Sequence, residues 1–419
     1  MAQTTLPLVA SDLLHLRGAP IGLITAASGV VAVVTMSVVS SRIPLQWIRP
    51  SLVLALLVLA ASFPLVGDAR GPVSLTAGAL VLGLAGGVVF PTLLTAVGGL
   101  GGEEVARGAR DRPIALLSVA LSTGLAFGPF VEGGVLSWSG GDLRAVFDWF
   151  AIGPVVGALA LSGLVWARRR SRPAPARLPQ PVPVPRAACS VPGDRVRVAL
   201  PAALRDEGFQ VALLGQLMYT APFAAVVVFG ALFARHADGM SLAGVEVAFG
   251  VFFVVSFGVR SAVAWRSPIA HKLAWFQLSA ALTVAGLGLM ALGRGEAALL
   301  AAMALLGVPH GLTYPLAMGM VAEGRPSAQL ASVNAHLSAA VQVVNLVLAP
   351  LLGLGIDAIG YRVTFAALVV PVVVAALVQR RIGHRDGYGD GRSDAMGGTL
   401  GLGGRAASRE VRRASAWTT

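Results

Sequence analysis

The chain has 419 residues, of which 56% are hydrophobic and 12% charged, with a mean hydropathy of +0.77. A soluble globular protein carries about 25% charged residues, so this composition excludes a single soluble domain, a disordered chain and a disulfide-rich secreted one. Cys189 stands alone, so no intrachain disulfide forms. The formal net charge is +12, with Lys272 the single lysine among 32 basic residues. Such a balance points to nucleic acid only if the charges cluster.

Apolar runs long enough to cross a bilayer recur along the chain. They lie at 19–40, 50–67, 73–99, 113–131, 149–167, 209–234, 242–264, 273–293, 297–322, 326–355 and 363–379, predicting eleven spans. Gly and Pro are frequent inside them, as spanning helices tolerate. The first run has no basic segment before it and is followed by ten more, so it is not a leader peptide.

Assigning the connections alternately to two sides places 26 basic residues on one side and 6 on the other. In that count Arg260, Arg266 and Lys272 belong to one connection, 260–272. The asymmetry predicts a cytoplasmic C-terminus and an extracytoplasmic N-terminus in the plasma (cytoplasmic) membrane. It also accounts for the net charge without a nucleic-acid partner.

The longest interior connection, 168–208, opens on Arg168, Arg169 and Arg170 and continues through Pro173, Pro175, Pro179, Pro181, Pro183 and Pro185. This composition favours an extended tether that packs no core. The expected organisation is an N-terminal bundle at 1–167 with five spans, a linker at 168–208, a C-terminal bundle at 209–379 with six spans, and a Gly- and Arg-rich disordered tail at 380–419. The fold class is all-α and polytopic. Two bundles joined by a long loop is a plan common among secondary transporters.

Several stretches carry a family resemblance. "TLPLVASDLL" (Thr5 to Leu14) is similar to the outer end of the first helix of the major facilitator superfamily, where a Leu-Pro pair precedes an Asp-Leu pair. "GLAFGPFVEGG" (Gly124 to Gly134) resembles the antiporter motif of that family's fifth helix, with three residues instead of two before Gly133-Gly134. "GVPHGLTYPLAMGMVAEGRP" resembles the tenth helix and its exit, and "LAPLLGLGIDAIGYRVTF" the connection from the eleventh to the twelfth. The chain is most like the drug–proton antiporter branches. The resemblance implies twelve helices in two halves; the count of eleven and the outside N-terminus suggest that most of the first helix is missing before Met1. Two departures stand out. Ser40 and Ser41 occupy the place of the acid in the family's loop between helices two and three, beside Arg42 and Arg49, and "AGALVLGLAGG" has no Arg where the fourth helix often carries one.

Polar residues inside spans are costly and so are the first candidates for function. His310, Thr313 and Tyr314 share one face of their helix, and Gln216, Tyr219 and Thr220 share another. Asn334, Ser338, Gln342 and Asn345 form a stripe that faces a cavity or the other bundle rather than lipid, with His336 on the opposite side. These ten are the substrate-contact candidates, against a background in which polar residues often serve only to bond helices together. His310, Glu132 and Glu246 are the coupling-ion candidates, the two acids expected near the outer mouth as solvated helix ends or proton sites. Gly124, Gly128, Pro129, Gly133 and Gly134 are expected to bend the helix and let it pack closely, and the resemblance gives Arg42 and Arg49 a conformational role in latching the two halves.

No phosphate loop, zinc-binding pair or nucleophile elbow occurs. The expected protein is a secondary carrier and not an enzyme, without cofactor or metal, whose partners are a small molecule, the lipid bilayer and protons; the resemblance implies that it works as a monomer. The two-bundle plan, the antiporter-like Gly-Pro stretch and a polar but nearly charge-free interior argue for export of small apolar or weakly charged compounds, and a cavity with no buried Arg or Lys argues against phosphorylated ones. An uptake carrier of the same fold and a non-transporting membrane protein remain as alternatives.

Overall fold

A computed structural model describes residues 2–39, 42–98, 107–170, 200–266, 269–322 and 327–385. Described residues are almost all helical. In the first half the helices are α1 (Ala2–Leu8), α2 (Gly18–Val34), α3 (Ile48–Gly67), α4 (Pro72–Gly98), α5 (Arg107–Trp138) and α6 (Leu143–Arg170). The second half has α7 (Leu200–Arg205), α8 (Glu207–Leu232), α9 (Leu242–Arg266), α10 (Lys272–Leu292), α11 (Gly295–Ala322), α12 (Ser327–Ile359), α13 (Tyr361–Ala367) and α14 (Val369–Arg385). Ten helices among the described residues are long and apolar enough to cross a membrane. The remaining predicted run, 113–131, falls inside the 32-residue α5.

Predicted and observed helices differ mainly at their ends. The heart of the proline-rich linker, 171–199, and the tail beyond Arg385 lie outside the described residues. Within the expected linker, α6 continues through Arg168–Arg170 and α7 adds a short helix. Arginine is a good helix former, so the charge that ends an apolar run does not end the helix. The same reason carries α14 to Arg385, past the expected end of the last span. Arg260 is likewise inside α9, which runs on to Arg266, so it is not a loop charge.

Each half is a bundle. α3 packs between α4 and α6, and α2 lies along α4; in the second half α11 packs against α9 and α10, and α14 against α8 and α10. Two long pairs cross between the halves, α2 with α12 and α5 with α9, and α1 rests on α8. In lipid there is little hydrophobic drive to associate, so close packing of small residues takes over. At Gly18 an added methyl group would lie 2.7 Å from the Gly353 carbonyl oxygen, and at Gly22 it would overlap the Ala349 carbonyl. At Gly29, further along, the nearest atom is a side-chain methyl of Leu346 at 4.0 Å. The two halves therefore touch backbone to backbone at one end and diverge toward the other.

The converging end is the far end, opposite the linker. Polar contacts cross between the halves there. Asp357 on α12 accepts from the backbone N–H groups of Gly18 and Ala19 at 2.8 and 2.9 Å, capping α2. Asp12 pairs with Arg235 at 3.6 Å and His236 at 3.4 Å. At the linker end Val38 and Val39 are exposed. Large exposed side chains such as Leu54, Leu159, Val370 and Leu377 are distributed around the outside of the bundles, as a lipid-facing surface requires.

Candidate functional site

A cavity of about 530 Å³ lies between the halves below the far-end closure. Thr25, Ser28, Gly29 and Ala32 of α2 form one wall with Gly83 and Gly86 of α4. Phe223, Val227 and Val228 of α8 with Gln342, Asn345 and Leu346 of α12 form the other. The glycines are needed for packing: a methyl at Gly83 would overlap the Ser28 carbonyl. The lining is mostly apolar with a few polar groups, as small-molecule sites are.

The predicted polar stripe on α12 divides here. Gln342 and Asn345 line the cavity, Asn345 donating to Gln342 at 3.4 Å. Ser338 is exposed, and Asn334 lies further toward the linker end with its Oδ1 buried and unsatisfied. His336 is half-buried.

The two other predicted groups converge on each other beside the cavity. Tyr219 stacks on Phe223 at 5.7 Å between ring centroids, and Phe223 stacks on His310 at 4.6 Å. Phe252 and Phe253 complete the aromatic wall around His310 at 5.1 and 5.8 Å. His310 Nδ1 shares a 2.6 Å hydrogen bond with the Ser256 hydroxyl. Thr220 and Thr313 are buried and bond back to the carbonyls of Gln216 and Pro309, which satisfies them inside their own helices. Gln216 is buried with its Oε1 unsatisfied, whereas Tyr314 is more than half exposed. Phe223 is thus shared by the cavity wall and the aromatic cluster.

Sequence reasoning missed two members of this cluster, Ser256 and Arg260. They are four residues apart on α9 and so share a face. Arg260 Nη2 donates to the His310 carbonyl at 3.3 Å, and its Nε is buried without an acceptor. An interior free of Arg or Lys is therefore corrected: a guanidinium lies within the helical span. The available signal was Ser256 and Arg260 at helical spacing inside one apolar run.

The two acids come together elsewhere. Glu132 on α5 and Glu246 on α9 are both buried, at 1% and 0% exposure, and their carboxyl groups face each other across the halves. They are not solvated helix ends. The Thr5 hydroxyl of α1 donates to Glu132 Oε1, while Glu132 Oε2 and both oxygens of Glu246 have no donor. α5 and α9 interlock around them. A methyl at Gly133 would meet the Glu246 Cβ at 3.3 Å, and Gly250 of α9 admits the Phe130 ring. Gly124 and Gly134 face open space, whereas Gly133 lies at this crossing. Arg42 and Arg49 are exposed and form no ion pair among the described residues.

No set of three His, Cys, Asp or Glu side chains capable of holding a metal occurs among the described residues.

Comparison with solved structures places this architecture among membrane transporters. The nucleoside transporter NupG superposes with a TM-score of 0.67 at 11% identity, covering 90% of this chain and 94% of that one. A bacterial homologue of the human lysosomal transporter Spinster, inward-facing and occupied, gives 0.62 at 15% identity over 91% and 93%. PepTSo2 gives 0.63 at 14% identity over 92% and 94%. At these identities the likeness is one of fold. Comparison with curated protein sequences gave no match. The family model of the Major Facilitator Superfamily matches residues 1–333, and with two helical bundles closing over a central cavity the chain belongs to that superfamily.

Proposed function

We propose that the protein is a secondary carrier working by alternating access, which exports small, largely apolar or weakly charged compounds across the plasma membrane in exchange for protons. The observation that carries this reading is the central cavity, sealed at one end by contacts between the halves and lined mostly by apolar side chains. The asymmetry of basic residues orients the linker end toward the cytoplasm, which makes the present conformation inward-facing. The Gly-Pro stretch of α5 supports the antiporter side of the family.

Glu132 and Glu246 supply the proton site. Three of their four oxygens lack a donor. A proton on either carboxyl supplies one, joining the halves, and its loss leaves two buried like charges that repel. Around the pair, α1 contributes Thr5, a neutral donor. Arg235 and His236 of the second half are engaged with Asp12, and Glu296 opens α11 at the same end. The pair thus takes a proton from the outside while the far end is open and holds it as that end shuts; release toward the cytoplasm leaves the two charges to force the far end open again, which completes the exchange.

The test is efflux of a broad panel of dyes and toxic compounds from a host lacking its own pumps, followed by transport in vesicles under an imposed pH gradient. Export that rises with the inward proton gradient supports the reading. Accumulation inside cells would reverse the direction. No movement of any compound by correctly inserted protein would remove the carrier reading.

A further inference from the structure

Arg260 has far fewer partners than its position demands. A guanidinium offers five N–H donors and cannot be deprotonated in a protein. Taking it into a membrane span is costly, and such groups pair with an acid or mark a ligand path. Two other arginines of the second half follow the first rule: Arg235 pairs with Asp12, and Arg362 with Asp238. Arg260 has one bond, to a neutral carbonyl, and no carboxylate within ion-pair distance among the described residues.

A second orphaned donor lies beside it. The Tyr219 hydroxyl is buried without a partner, and its ring packs 5.7 Å from the ring of His310, the residue whose carbonyl holds the guanidinium. α8, α9 and α11 therefore bring together a fixed positive charge, a buried hydroxyl donor and a buried N–H with nothing to accept from them. Unpaired buried donors cost about 1–3 kcal/mol each. An acceptor-only group with negative charge relieves both at once. The adjoining surface is aromatic: Phe223, Phe252 and Phe253 gather around His310, and Phe223 passes directly into the cavity wall.

We infer that Arg260 and Tyr219 form an anion-binding subsite, and that the compounds this protein carries have one carboxylate on an apolar, partly aromatic body. This deepens the carrier reading and rests on it. The body occupies the cavity against Phe223, Val227 and Leu346; the carboxylate reaches the guanidinium. The bond from Nη2 to the His310 carbonyl is one that a glutamine can replace, so Arg260→Gln removes the charge with the least disturbance of the link between α9 and α11.

The test is calorimetric titration of purified protein in dodecyl maltoside with 1-naphthoate, 4-phenylbutyrate and decanoate, each beside its neutral amide. At least one acid is expected to bind about tenfold more tightly than its amide, the scale of one charge-assisted hydrogen bond. Arg260→Gln should erase that preference, and Arg260→Lys should restore part of it. Tyr219→Phe, which keeps the ring and the net charge, should weaken the acid severalfold and leave the amide unchanged. Absence of an acid preference in the wild type, including no binding of any probe, overturns the inference, as does an Arg260→Gln protein that binds the acids like the wild type. A parallel titration with phosphatidylglycerol separates the other source of an anion. Binding of that lipid but of none of the acids, lost in Arg260→Gln, assigns the guanidinium to lipid headgroups and also overturns the inference. Efflux that persists in cells without any acid preference would leave the carrier reading intact and remove this one alone.

Discussion

Two ionisable centres sit on one helix. Glu246 and Arg260 are fourteen residues apart on α9, roughly 21 Å along the axis and close to the same face. The first is half of a buried acid pair; the second is a cation with no carboxylate within ion-pair distance among the described residues. Their surroundings differ in a way that separates their roles. Glu246 meets Glu132 across the boundary between the halves, so any motion of the halves makes or breaks the pair. Arg260 contacts α11 inside the second half, away from the boundary between the halves. The acid pair is built to respond to conformation, and the arginine to what enters from solution.

The largest expected effect comes from preventing closure. Gly22→Leu forces a side chain into the Ala349 carbonyl, an overpacking of about 1–3 kcal/mol or more. Transport should fall to background, while discrimination between acid and amide at Arg260 survives. Loss of both would show that the two centres are one site.

Glu246→Gln and Glu132→Gln should come next. Either amide can donate to the remaining carboxyl, so closure persists but no longer depends on protons. In the wild type, raising the pH should lengthen the distance between spin labels at His15 and Arg294, exposed positions on the two halves; in either variant that distance should stay constant with pH. Transport should lose its response to a pH gradient at the same time. A variant that keeps the wild-type pH response would place the proton elsewhere.

Asp357→Ala removes a helix cap worth about 0.5–2 kcal/mol. The same labels should report more of the open form at every pH, with no change in the shape of the pH curve. The smallest effect is expected for Thr5→Val, which deletes one hydrogen bond to Glu132, about 0.5–1.5 kcal/mol. It should displace the midpoint of the pH response and leave acid binding untouched.

The fold was legible because spanning helices announce themselves by length and apolarity, and the predicted runs match the observed helices to within a few residues at most ends. The convergence of His310 and Tyr219 was half legible. Helical spacing put each residue on a polar face, but which faces meet depends on packing between α8 and α11, which spacing within one helix does not encode. Glu132 and Glu246 were each visible as acids near a helix end. Their pairing needs the register of α5 against α9, fixed by Gly133 and Gly250 over a separation of more than a hundred residues. Arg260 was hidden by proximity to the end of its apolar run, because a charge there reads as a loop. α9 continues to Arg266 since nothing between Arg260 and Arg266 interrupts a helix.

The clasp between Asp357 and the start of α2 has a kinetic meaning. The N–H groups of Gly18 and Ala19 belong to the first turn of a helix, which has no internal acceptors for them. When the far end parts, water can take the place of the carboxylate at both nitrogens and solvate the carboxylate in turn. The ionic contact therefore exchanges one set of hydrogen bonds for another and adds little to the barrier. What resists opening is the peeling of the Gly18–Gly353 and Gly22–Ala349 backbone surfaces, where no water fits until separation is well advanced. The turnover rate of this carrier should accordingly follow the size of the residues along that seam more closely than the strength of its charges.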